Sequence, residues 1–128
     1  MQLSDFVVHD VSHFPAVRCT PATVYPGYSK QWQDELETLL ALNRPFFMVF
    51  EDGEFKEAPE DTKVRAIWLR ENKGCLSRVC KSIVAVEPDA ERRCKLVAQC
   101  PGLSKAFGIP RFIACDSEEA FQLGFGKM

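Results

Sequence analysis

The stretch "PFFMVFEDGEFKEAPEDTKVRAIW", residues 45–68, decides how the rest of the chain is read. Its apolar run, 46–50, has no polar alternation, the pattern of a strand covered on both faces. The run stops at Glu51 and Asp52 and passes into a charged loop. Pro59, Glu60 and Asp61 then suit the first turn of a helix, with proline early and acids near the positive end of the dipole. Val64, Ile67 and Trp68 supply that helix with a buried stripe, and Gly74 can end it. "CLSRVC" (75–80) is left as a short further helix. A buried strand that reaches the next one through a helix must run parallel to it, with a right-handed crossover.

The same alternation of elements extends in both directions. Upstream, "DFVVHDV" (5–11) and "AVRCTPATVY" (16–25) are rich in β-branched and aromatic residues, and Pro21 interrupts the second. Such a pair belongs at the margin of a sheet. "YPGY" (25–28) is a turn. Ser29 opens a helix to about Leu42, with Trp32, Leu36, Leu39 and Leu40 on one face, and Asn43-Arg44-Pro45 stops it. Downstream, "SIVAVE" (82–87) and "RFIAC" (111–115) are two more buried strands. Between them Pro88-Asp89 opens a helix carrying Ala90, Cys94 and Val97 on one face, closed by Pro101-Gly102. Asp116 and Glu119 suit the capped start of a terminal helix. The expected architecture is α/β: one mixed, mostly parallel sheet in β-β-α-β-α-β-α-β-α order, with an N-terminal edge strand and a single domain over 1–128. Trp32 and Trp68 should face the sheet.

With 46% hydrophobic and 27% charged residues and a net charge of −2, the composition is that of a soluble globular chain. No stretch approaches the roughly 20 apolar residues of a membrane span. "MQLSDFVVHD" has neither a basic nor a long apolar signal region, so a cytoplasmic protein is expected. The six cysteines then read as thiols, since no Cys-x-x-Cys occurs. Cys94 and Cys115 should pack as small hydrophobes, while Cys75 should be the most reactive.

The element order, together with "FFMVFED", "IWLRENKGCLSRVCKSIVAVEPDAERR" and "FGIPRFIACDSEEAF", resembles the STAS-like, or SpoIIAA-like, bacterial domains. The similarity runs from about Ser29 to the end of the chain. It implies a regulatory or protein-interaction module without catalytic activity. In the anti-sigma-factor antagonists of that family, the loop after the buried strand leads to a phosphorylatable serine in an Asp-Ser-x-Gly context. Here the loop has no serine, and Thr62 is its only hydroxyl, behind Glu60 and Asp61. The resemblance implies a protein partner at this loop, with Glu51, Asp52, Glu54, Phe55 and Thr62 as contact residues. It implies no cofactor and no metal.

An alternative class is a domain that binds a small molecule or anion at the carboxyl edge of the sheet, where open α/β sheets usually take ligands. Glu51, Asp52, Glu87 and Asp116 all stand at strand ends there, and capping of the following helices is the simpler use for Asp116 and Asp89. His9 and His13 read as surface residues, and no catalytic motif or phosphate loop is present. Charge is uneven along the chain. Residues 1–61 hold eleven Asp/Glu against four Lys/Arg, and residues 62–111 the reverse. If Arg78, Lys81, Arg92, Arg93 and Lys95 shared one face, it would suit an acidic partner. Nucleic acid is not expected, because no aromatics interleave with these basic residues.

Overall fold

The computed structural model describes all residues 1–128. Its strands are β1 (His9–His13), β2 (Ala16–Cys19), β3 (Phe46–Phe50), β4 (Cys80–Val86) and β5 (Arg111–Ala114). Its helices are α1 (Ser29–Leu42), α2 (Pro59–Val79), α3 (Ala90–Phe107) and α4 (Ser117–Gly126). The five strands form one sheet in the order β1-β2-β3-β4-β5. β1 pairs antiparallel with β2, and every other pair is parallel. The fold is thus α/β with a single mixed, mostly parallel sheet. No helix is long and apolar enough to cross a membrane.

Side chains along β3 alternate between two cores. Phe46 and Met48 join Trp32, Leu36, Leu39, Trp68, Leu76 and Ile83 beneath α1 and α2. Phe47 and Val49 join Val84, Val86, Ala114 and Ala120 beneath α4. Both tryptophans face the sheet and meet edge to face, with ring centroids 5.4 Å apart. On the α4 side the packing is closer: a β-carbon on Gly124 would lie 2.1 Å from the Phe47 ring.

α1 spans the residues its apolar spacing indicates, and Asn43 ends it in the left-handed region (φ 52°). The two middle helices are longer than their glycines and prolines suggest. α2 runs through Gly74 to Val79, so "CLSRVC" is its last turn and the start of β4. Leu76 and Val79 continue the stripe of Trp68, and burying two large aliphatics outweighs the roughly 1 kcal/mol that one helical glycine costs. α3 likewise runs through Pro101-Gly102 and ends at Gly108. That extension brings Ser104 to β5, where its hydroxyl accepts from the Arg111 N–H at 3.0 Å.

The buried stripes also differ from an apolar count. Val64 and Ile67 are exposed, whereas Asp61 and Trp68 are buried and Arg65 half-buried. The inward face of α2 runs 61, 65, 68, 69, 72, 76, 79, which is helical spacing with polar members that each have a bonding role. Ala90, Cys94 and Val97 are exposed for the same reason: α3 turns Arg93, Leu96 and Cys100 inward. β5 is only partly buried because it is an edge strand. β2 is cut short at Cys19 by the 3-10 turn that Pro21 starts. Cys115 is half-buried, with its thiol against Glu119 at 3.2 Å.

Candidate functional site

The loop after β3 is tied down, and its expected contact residues part company. Glu51 turns toward α4, accepting from Arg18 Nε at 3.3 Å and from the Ser117 hydroxyl. Asp52 and Glu54 stand in solvent. Phe55 folds back edge-on to Phe50, with centroids 6.1 Å apart, and keeps 37% of its surface exposed. The Thr62 hydroxyl donates to Glu57 at 2.8 Å. Of the five, Asp52, Glu54, Phe55 and Thr62 are exposed and Glu51 is half-buried.

Glu57, which reads in the sequence as one more solvated acid of the loop, is half-buried and organises this end of the molecule. It accepts from Arg65 through Nε and Nη2, from Thr62, and from the Tyr28 hydroxyl. Those donors, Arg65 above all, bring its carboxyl down to about 2. Burial and the bond to Glu57 push the Tyr28 phenol up. Asp61, beside it, caps α1 rather than its own helix. It accepts from Gly27 N at 2.9 Å, Ser29 N at 3.2 Å and the Ser29 hydroxyl at 2.6 Å. The bond from that hydroxyl is the main reason its carboxyl lies below the usual range. Together these bonds pin the start of α1, the loop and the start of α2 to one another.

Beneath this clasp lies a cavity of about 290 Å³ between the sheet and α1/α2. Its floor comes from all five strands: His9, Cys19, Met48, Phe50, Ile83 and Arg111. The register makes these one face, since His9 pairs with Cys19, Cys19 with Phe50, Met48 with Ile83, and Ile83 with Arg111. Trp32, Leu36, Leu69 and Leu76 form the roof. Such a space, largely apolar with a few polar groups, is at the small end of ligand cavities.

His9 is buried here, not at the surface, because Glu35 lies opposite it in the apolar stripe of α1. Glu35 accepts from the backbone N–H groups of Val7, Val8 and His9, from the Gln31 amide, and from His9 Nδ1 at 2.9 Å. Burial alone would push its carboxyl up, but these donors outweigh it and bring it to about 2. An ionised Glu35 can only accept, so His9 Nδ1 donates to it. The other ring nitrogen, Nε2, is buried without a partner. An unmet buried group of this kind costs about 1–3 kcal/mol. The buried hydroxyl of Ser82 is also unpartnered, but only His9 lines the cavity.

At the other margin Arg111 lines the cavity half-buried, and its guanidinium makes no hydrogen bond or ion pair. Burial lowers its affinity for the proton. Burial also pushes the Cys19 thiol well up, so it is no nucleophile.

The acids at the carboxyl edge are used in capping. Asp116 accepts from Glu119 N at 2.8 Å, and Asp89 from Arg92 N at 2.9 Å. Glu87 accepts from Asp89 N at 3.2 Å. No three His, Cys, Asp or Glu side chains come together in a way that could hold a metal ion. The basic residues 78–95 fall into two groups: Arg78 ends α2 and Lys81 opens β4, whereas Arg92, Arg93 and Lys95 stand in the first turns of α3, beyond the other end of that strand. The five strand residues 82–86 between them span roughly 17 Å at about 3.3 Å each. Compared with protein-family models, curated proteins and solved structures, the chain matches none.

Proposed function

We propose that this chain is a non-enzymatic binding module on a STAS-like sheet, and that it takes a small amphipathic molecule into the cavity beneath α1 and α2. The observation that carries this reading is the space itself, left between two otherwise packed layers and lined by Trp32, Leu36, Met48, Phe50, Leu69 and Ile83, with the unpartnered Arg111 guanidinium at its margin. The roughly 290 Å³ corresponds to about ten heavy atoms at ~30 Å³ each.

1-Decanol is a suitable test molecule, having an apolar body and one donor. Binding to the native state raises apparent stability by mass action, so a saturable rise in Tm is expected. Leu69→Trp, which fills the cavity from the roof, should abolish the rise. A Tm unaffected by decanol up to its solubility would contradict the reading.

A second reading is a protein contact at the loop, favoured by Asp52 and Glu54, which stand in solvent with no bonding partner. Phe55 links the two readings, since it touches both the cavity and solvent. Reversing Asp52 and Glu54 to lysine should slow association with a basic partner and leave decanol binding unchanged.

A further inference from the structure

Every charged Asp, Glu, Lys or Arg side chain that folding buries or half-buries has a hydrogen-bond or ion-pair partner, with one exception. The exception is Arg111, whose guanidinium has neither. The register puts Arg111 on the face of the sheet that carries Ile83 and Met48, the floor of the cavity. The titratable groups that act on its charge are the buried thiols of Cys100 and Cys80. Cys80 belongs to the core under α1 and α2, and burial pushes its thiol up to about 12, so it supplies no anion. Arg111 also lines an open hollow with Ser104, Lys105 and Gly108, which places it between the cavity and the surface. A guanidinium keeps its proton in a protein, and taking such a charge out of water is costly unless an opposite charge meets it. The chain itself does not provide one at this edge. The segments that reach the amino edge of the parallel strands, 12–16, 41–46, 73–82, 104–112 and 124–128, carry seven Lys or Arg and not one Asp or Glu. Helix dipoles favour cations at helix carboxyl ends, but Arg111 belongs to a strand.

We propose that the missing anion belongs to the ligand: the cavity takes a medium-chain carboxylate, its head on the Arg111 guanidinium and its chain over Ile83 and Met48 toward Trp32 and Leu36. This rests on the reading of the cavity as a ligand site and adds the chemical class and the orientation. A carboxylate suits a lone guanidinium because one charge meets one charge and the paired N–H groups match its two oxygens. The other ion pair at the cavity cannot take the head, since Glu57 and Arg65 already neutralise one another. Beyond Arg111 the path over Ile83 and Met48 is apolar, and the volume takes a chain of about ten carbons. The basic edge around Arg111 draws in an anion and repels a cation.

Decanoate, 1-decanol and decylammonium, titrated into the wild-type protein at neutral pH, share one chain and differ in the charge of the head. Decanoate is expected to bind at least tenfold more tightly than decanol, with decylammonium the weakest, and added salt should narrow the gaps. Arg111→Met should bring decanoate down to the affinity of decanol and leave decanol unchanged. Lys105→Met, on the outer hollow, should keep most of the preference for the acid. Equal affinities for acid and alcohol would overturn the proposal while the cavity remains a ligand site. So would a preference that survives Arg111→Met, or one that Lys105→Met abolishes. Failure of all three molecules to bind would remove the ligand site itself, and this proposal with it. The wild-type comparison of acid with alcohol is decisive alone, so the test does not depend on how well a variant folds.

Discussion

The two faces of the sheet are built from the same strands and pack in opposite ways. Under α4 the core is dry and full, with Phe47, Val49, Val84 and Val86 against a helix whose Gly124 leaves no room even for a methyl group. Under α1 and α2 the core is larger, holds a cavity, and contains a hydrogen-bonded pair, Glu35 and His9, whose side chains have no exposed surface. Strand alternation supplies apolar side chains to both faces. What differs is the partner helix: α4 brings small residues close to the sheet, while α1 and α2 bring long side chains and buried polar groups that hold the layers apart. One face is filled by its side chains, and the other keeps the space proposed as a site.

That contrast is open to attack, beginning with the largest effects. Glu35→Ala should cost on the order of 3–5 kcal/mol in denaturant titration, because it strands His9 and three backbone N–H groups in the interior. A cost below 1 kcal/mol would mean that the pair is not structural. Gly124→Ala adds a single carbon to the full face and should cost about 3 kcal/mol or more, through overpacking against Phe47. Leu69→Trp adds several atoms on the hollow face and should cost less than about 1.5 kcal/mol. If the larger insertion proved the more damaging one, the claim of unequal packing would fail.

A smaller effect appears in acid. Glu35 and Glu57 both sit at about 2 in the fold, down from an ordinary 4.5. Groups depressed in this way stabilise fully above their unfolded value, and that contribution is lost as pH falls from 4.5 toward 2. Melting curves should therefore drop through this window, and Glu35→Gln should flatten the drop. The smallest effect concerns the loop. Asp52→Lys with Glu54→Lys changes only solvated side chains and should shift stability by no more than about 0.5 kcal/mol.

The residues differ in how much of this they disclosed. β3 and α1 were legible to the residue, because an unbroken apolar run and a clean helical stripe are local signals. The ends of α2 and α3 were not. Gly74 and Pro101 are local stop signals, and they are overruled by what Leu76, Val79 and Phe107 gain from surfaces far away in sequence. The inward stripe of α2 was misread toward Val64 and Ile67 because Asp61, Arg65 and Asn72 look like surface residues until their partners are known. Glu35 was the one visible hint of the buried pair, a carboxylate lying between Trp32 and Leu39 on the buried face. Its partner His9 is 26 positions away, and nothing in the spacing joins the two. The cavity was invisible in principle, since alternation tells which side chains point inward and not how completely they fill the space.

The account stands or falls on whether the space beneath α1 and α2 admits a ligand. Methyl NMR of the side chains around it, recorded during a titration with 1-decanol, tests this most directly. The methyl signals of Leu36, Met48, Leu69 and Ile83 should shift saturably, while those of Val49 and Val84 under α4 stay where they were. Shifts spread evenly over both cores, or none at all with decanol in excess, would contradict the account.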